Sequence, residues 1–426
     1  MCRACEVDWL TMGGAGKEVV TIKNLHPRLR VLCLDFNLSY VNPTRNLFGS
    51  VLKHAFDVRF FGPGYVSTDV LKRGVDQFVE SNGPFDFIVA SEHIAFSREW
   101  RREAIPPGYK NNYVTHFDHG DLCHVNDIRL SFMKIKASKC VTLLESDFYN
   151  FPADQVRVFE DINAYLVGLG TQFVRPIKEL PLLKHELFAP SANDNWFDFI
   201  EQGNCRVISF PAFVSDTEFS WSPIAARRVR WSIVGVRYWA RRQAQKSLSA
   251  FGIRWIGRGL SYVLSALERL RLRPLGNAVG QRAFRYLFRS SIEASKYSYT
   301  CGSGLGYPIR KFFEIPACGS ILVCMPCNGF EALGFQDKTN ALICLPQDLV
   351  EIHHALERDP DWAQSLADAG RQLVWDKHRI SARAIQLDES FRSILARRFA
   401  GSYWDSGDYC IVEQDGPEQT VRRIQV

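Results

Sequence analysis

Apolar positions become regular at about residue 30 and then switch repeatedly between two periods. Arg30-Val31-Leu32-Cys33-Leu34-Asp35 is a short aliphatic run of the kind that fills a parallel strand buried on both faces. A polar loop follows, then apolar residues at helical spacing (Leu47, Val51, Leu52, Ala55). Residues 57–61 predict a second strand, stopped by Gly62-Pro63-Gly64. A helix over 66–81 leads to a third strand at 85–90. Further strands are expected at 140–144, 164–167 and 205–210. Strand alternating with helix in this rhythm predicts a doubly wound parallel sheet.

A less regular stretch with two prolines interrupts the pattern after Phe210, and a second alternating unit starts near Val229. Its strands are expected near 253–255, 297–301, 321–324 and 341–345. It closes with an amphipathic helix marked by Ile380, Ala384, Leu387, Phe391 and Leu395. The expected organisation is an irregular lead-in at 1–26, an N-terminal Rossmann-like acceptor domain at 27–210 and a hinge at 211–228. A C-terminal Rossmann-like donor domain at 229–398 and a polar tail at 399–426 complete it. In paired sheets of this α/β class, ligands bind outside the carboxyl ends of the strands, in the cleft between domains.

The densest chemistry lies between Cys301 and Phe335. Gly302, Gly304 and Gly306 follow a strand, and Pro308 fits the first turn of the next helix. Glycines let backbone N–H groups approach a ligand, and a helix N-terminus attracts anions. Arg310 and Lys311 stand in that first turn, where cations oppose the helix dipole, a placement that makes sense if a phosphate shares the site. Glu314, four and three residues further on, shares their face and can accept two hydroxyl hydrogen bonds, as a ribose diol requires. Gly319 suits a helix stop, and Pro316 inside the helix removes one hydrogen bond and predicts a kink. The structural alternative is an ordinary loop and a helix with one internal ion pair.

The block from Arg310 to Val323 (RKFFEIPACGSILV) resembles the donor site of GT-B glycosyltransferases, most nearly the CgeB-like, spore-maturation type. Gly334-Phe335, residues 341–345 and the segment from Ala369 through His378 to Arg383 are similar to that family's C-terminal pattern. The stretch 210–219 resembles the interdomain hinge of group 1 glycosyltransferases, with Asp216 in a structural role. Residues 231–235 look like the first strand and glycine turn of a donor domain. The resemblance covers about 205–395, and the N-terminal half matches in architecture alone. It implies a nucleotide-sugar donor with Glu314 on its ribose and Gly235 beside its diphosphate. Arg241 or Arg242, together with Lys311, would neutralise the charge, so that no metal or other cofactor is needed. Retaining relatives carry a further Glu eight residues before the ribose Glu. Here that position is Gly306, so the resemblance leaves the anomeric outcome open.

In the N-terminal half, Glu92 and His93 follow the third strand, and His116, Asp118, His119 and Asp121 cluster in HFDHGD. Either set offers a general base or an acceptor-orienting group. The alternative for both is a solvated polar loop. Gly13-Gly14-Ala15-Gly16-Lys17 imitates a P-loop, but Glu18 stands where the metal-binding hydroxyl belongs.

Composition narrows the classes. With 426 residues, 46% hydrophobic and 23% charged, the chain reads as two globular domains. A net charge of +6 favours anionic ligands, and no nucleic-acid motif accompanies it. There is no signal-peptide pattern and no apolar run long enough to span a bilayer, so a cytoplasmic location is expected. The 12 cysteines are then read as reduced thiols; the pairs Cys2/Cys5 and Cys324/Cys327 lack the partners of a zinc site. From Arg241 to Ser290 there are 11 Arg/Lys against one acidic residue, Glu268. That stretch is either a solvated basic face or a peripheral contact with the inner membrane face. The reading is a glycosyltransferase acting on a glycan, lipid or protein acceptor in envelope or surface polysaccharide synthesis. The rivals are a sugar-nucleotide epimerase and a non-catalytic glycan-binding or coat protein on the same scaffold.

Overall fold

The computed structural model describes residues 27–37, 43–91, 94, 124–134, 140–144, 165–169, 206–235, 238–254, 281–302, 308–327 and 329–426. Two parallel sheets organise them. The first holds β1 (Arg30–Leu34), β2 (Asp57–Phe61), β3 (Phe87–Ser91), β4 (Cys140–Leu144), β5 (Tyr165–Leu169) and β6 (Val207–Phe210), in the order β2-β1-β3-β4-β5-β6. Helices α1 (Pro43–Ala55), α2 (Thr68–Asn82) and α3 (Val125–Lys134) lie between its strands in the chain. The second sheet holds β7 (Val229–Ser232), β8 (Ile253–Arg254), β9 (Ser295–Thr300), β10 (Ile321–Cys324) and β11 (Leu342–Ile343), ordered β11-β10-β9-β7-β8. Its helices are α4 (Trp239–Ser247), α5 (Gln281–Ala294), α6 (Lys311–Ala317), α7 (Leu349–Arg358), α8 (Pro360–Lys377) and α9 (Ile380–Leu395).

Counted from its own first strand, each sheet begins 2-1-3-4-5 from one edge. Each therefore reverses direction between its first and third strands: β1/β3 in one, β7/β9 in the other. Beside the second centre, β10 reads ILVC and every residue in it is buried, as burial on both faces demands.

The second unit is tied back to the first. On α9 the helical spacing of Ile380, Ala384, Leu387 and Phe391 buries one stripe. Phe391 inserts between Phe56 and Phe87 of the N-terminal unit, at centroid distances of 4.9 and 4.4 Å. At its start, the Val214 N–H donates to the His378 carbonyl (3.1 Å) and the Ile380 N–H to that of Val214 (3.0 Å). Asp216 accepts from the Ser381 N–H and hydroxyl at 3.2 and 2.7 Å, so it fixes the linker to the first turn of α9.

The stretch after Phe399, which reads as a polar tail, is instead a three-stranded antiparallel sheet: β12 (Phe399–Asp405), β13 (Asp408–Asp415) and β14 (Glu418–Ile424). The first hairpin turns on Ser406 and Gly407, both at positive φ (53° and 90°), the type I′ geometry that matches strand twist. Trp404, Tyr409 and Ile411 are buried beneath it. The sheet docks on β6, where the Ser209 N–H donates to Ser402 Oγ at 2.8 Å and Trp404 Nε1 to the Ser209 carbonyl at 3.4 Å.

Among the described residues, seven cysteines are buried free thiols, and no three His, Cys, Asp or Glu side chains gather as metal ligands. No described helix is long and apolar enough to cross a membrane.

Candidate functional site

In an open α/β sheet the ligand crevice opens where strand order reverses, here beyond the ends of β7 and β9. From β7 the chain passes through buried Ile233 and Val234 to Gly235, whose φ of 105° L-residues avoid. A Cβ at this position would stand 2.6 Å from Lys311 Cε and 3.0 Å from both Lys311 Nζ and Arg241 Nη1. The missing side chain is what lets two cations from different helices close around one backbone turn.

Arg241 is 2% exposed and reaches β9, donating through Nη2 to Thr300 Oγ1 at 2.9 Å. Its guanidinium also lies over the Tyr238 ring, 5.5 Å from the centroid. Lys311 opens α6, with its ammonium 5.5 Å from the Phe288 ring centre. Among the described residues it has no carboxylate within ion-pair distance. Burial, followed by the neighbouring charge of Arg241, pushes Lys311 down to about 8, with Glu314 opposing. Two cations held this close repel each other, and an anion between them removes the cost.

Glu314 is 6% exposed. Arg310 Nη1 stands 3.3 Å from one of its oxygens, and no described residue donates a hydrogen bond to its carboxylate. Burial raises its pKa from the usual carboxylate value, while Arg310 and Lys311 pull it back. Arg310 itself is engaged by two carboxylates, because its Nη2 also lies 2.6 and 2.5 Å from the two oxygens of Glu218 on the linker.

Helix α6 differs from expectation at both ends. Pro308 lies outside it: the first turn closes with Phe312 N–H on the Ile309 carbonyl and Glu314 N–H on that of Arg310. Pro316 makes no interior kink, because the helix ends at Ala317. Ser320 N–H returns to the Ile315 carbonyl (3.2 Å) and Gly319 N–H to that of Pro316 (2.7 Å), a Schellman stop with Gly319 at φ 80°.

Of the residues singled out in the sequence, the structure brings Gly235, Arg241 and Lys311 together, with Glu314 and Arg310 alongside. Gly302 is buried just past β9, and Arg242, one residue after Arg241, is exposed on α4. Gly304, Gly306, Glu92, His93, His116 and Asp118 lie outside the described residues, as do most of the basic 241–290 stretch and the Gly13–Lys17 segment. Thr300 and Glu218 received no role from the sequence. Thr300 follows from the strand end facing Arg241, but nothing local links Glu218 to a partner 92 residues away.

Two doubly wound sheets in tandem, with the closing helix of the second returning to the first, make up a GT-B fold. Residues 224–389 match the family model described as glycosyl transferase-like. Among solved structures, HepE from Anabaena in complex with UDP-glucose is similar at 14% identity and TM-score 0.45, covering 86% of this chain and 100% of that one. Sucrose-phosphate synthase from Thermosynechococcus elongatus aligns at 12% identity and TM-score 0.46, over 87% and 100% of the two chains. A glycosyltransferase from Rickettsia africae ESF-5 aligns at 10% identity and TM-score 0.47, over 87% and 99%. No curated protein matches the chain.

Proposed function

We propose that the protein transfers a glycosyl group from a nucleotide sugar, held at the β7/β9 crevice, to a hydroxyl of a glycan, lipid or protein. The observation that carries this reading is the Glu314 carboxylate: buried, without a hydrogen-bond donor among the described residues, and beside the Lys311–Arg241 cation pair. A diphosphate satisfies the cations and an adjoining ribose diol satisfies the carboxylate. In transfer, the bond between the sugar's anomeric carbon and the diphosphate oxygen breaks as the acceptor oxygen bonds to that carbon. The leaving diphosphate gains negative charge, and fixed cations stabilise it most at that moment. Lys311 and Arg241 supply that charge, so no divalent ion is required. The acceptor proton passes to a base from the N-terminal half, with Glu92 and His93, next in the chain after β3, and His116 and Asp118 as the candidates. The excess of Arg and Lys in 241–290 suits an anionic membrane surface and a lipid-linked acceptor of surface polysaccharide synthesis.

The test is nucleoside diphosphate release from nucleotide sugars, with and without acceptor glycolipids, in the presence of EDTA. Release that depends on acceptor and survives the chelator is expected. Release without any acceptor would favour an epimerase. Glu314→Ala should weaken donor binding by about 10- to 100-fold, the worth of hydrogen bonds to a charged group. Unchanged affinity would place the ribose elsewhere.

A further inference from the structure

Arg310 does not belong to the cation pair. Glu218 meets it with both oxygens, at 2.6 and 2.5 Å, whereas Glu314 meets it with one, at 3.3 Å. Arg310 Nε is buried with no hydrogen-bond partner among the described residues, so the two carboxylates are the polar groups there that meet the guanidinium. Glu218 is itself held by its own turn: its N–H donates to the Ser215 carbonyl and its carboxylate faces the Ser215 N–H, both at 3.4 Å. The linker thus presents a fixed carboxylate that outbids Glu314 for the same arginine.

Resting on the reading that Glu314 takes a ribose diol, we infer that Glu218 and Arg310 are positioning residues, Arg310 keeping Glu314 ionised and Glu218 keeping Arg310 from closing over it. Removing either partner has a different consequence. Without Arg310, a carboxylate as buried as Glu314 takes up a proton and loses the charge that strengthens its hydrogen bonds to hydroxyls. Without Glu218, the guanidinium is free to turn both arms onto Glu314, the bidentate geometry it prefers, and occupies the oxygens the diol needs. The charged groups acting on Glu314 are Arg310, just before α6, Lys311 at its start and Glu218 from the linker. Helix α8, packed on α6 at Pro316, presents Gly370 there. Arg310 and Lys311 hold the Glu314 pKa down, and Glu218 pushes it up by like charge. Loss of Arg310 therefore moves the acid limb of binding to higher pH, and loss of Glu218 does not.

The experiment compares calorimetric affinities of the full chain for UDP, GDP, ADP and CDP, then takes the tightest and its 2′-deoxy counterpart from pH 5 to 8. The ratio of the two affinities reads the diol contact. Wild type should prefer the ribonucleotide by about tenfold. Arg310→Gln should lose that preference at the acid end and regain it as pH rises. Glu218→Gln should lose it at every pH. The double variant should behave like Arg310→Gln, because with the arginine gone there is nothing left for Glu218 to restrain. Arg310→Lys should keep the acid limb at its wild-type position, which separates charge from folding damage. A wild-type ratio in Glu218→Gln, or a double variant that does not recover at high pH, overturns the inference. Glu314→Ala distinguishes the two levels: if it leaves the ratio intact, the ribose reading fails as well. If it abolishes the ratio while Glu218→Gln does not, only the positioning roles fail.

Discussion

Replacing Lys311 with methionine is expected to cut turnover by about 10²- to 10³-fold, the usual loss when one fixed group opposite a developing anion is removed. Methionine keeps the length that fills the space beside Gly235, where Lys311 Cε would lie 2.6 Å from an added Cβ. It also relieves repulsion from Arg241, so folding stability should hold or rise. The pH behaviour gives an independent signature. Lys311 sits at about 8 in the folded chain against 10.5 for an ordinary lysine. Between those values the unfolded chain binds a proton that the folded one has released. This group therefore makes the ligand-free protein more stable as pH rises through that window. Nucleotide affinity should run the other way, falling above about pH 8 as the ammonium facing the phosphate is lost. Both dependences should vanish in Lys311→Met. Turnover within threefold of wild type would remove Lys311 from the leaving-group site.

The second large effect concerns the junction of the two units. Arg383 on α9 is fully buried, and no carboxylate among the described residues pairs with it. Its donors go instead to the carbonyls of Pro211 (3.3 Å), Ala212 (3.3 Å) and Lys377 (2.9 Å), and to Gln386 Oε1 (2.9 Å). The Trp404 ring centre lies 4.5 Å from its guanidinium carbon. His378 completes the cluster. Its Nε2 donates to the Leu333 carbonyl at 2.8 Å, which leaves Nδ1 to accept from Arg383 Nη2 at 2.8 Å. Burial, with Arg383 beside it, keeps that imidazole neutral. One side chain thus joins the linker, the end of α8, α9 and β12. Arg383→Met fills similar space but strands several buried acceptors, each worth roughly 1–3 kcal/mol. A loss of about 4 kcal/mol in urea unfolding is expected, and Arg383→Lys should not restore it, because an ammonium lacks the planar fork. A loss under about 1 kcal/mol would mean that the junction relaxes around the gap.

What the sequence made legible follows physical lines. Parallel strands buried on both faces write themselves as unbroken apolar runs, and β10 falls on the expected residues 321–324. Helix α9 shows its apolar stripe because Phe391 on one face packs between Phe56 and Phe87, while the polar residues Arg383, Gln386 and Ser390 are buried against the linker and the C-terminal sheet. Gly319 was readable because a Schellman stop needs a left-handed residue. The C-terminal sheet was hidden by its edge strand, whose residues from Glu418 to Val421 are all exposed, three of them polar. The signal was present nonetheless: Ser406-Gly407 and Gly416-Pro417 form the hairpin turns on either side of a run in which Tyr409, Cys410 and Ile411 are buried. At the site, Arg310, Lys311 and Glu314 were accessible through their local spacing, whereas Gly235 and Arg241 entered only through the resemblance to a GT-B donor domain. Glu218 was not, since its effect depends on the linker meeting α6 in space.

The proposed diphosphate site lies in the β7/β9 crevice between Lys311 and Arg241, with Glu314 on the attached pentose. Thermal unfolding of wild-type protein against UDP-, GDP-, ADP- and CMP-sugars, in chelator, examines it without needing the acceptor. At about 100 times its dissociation constant, at least one should stabilise the fold by roughly 2.7 kcal/mol, and Lys311→Met should abolish that gain. No stabilisation by any of the four, or an equal gain in the variant, would contradict it.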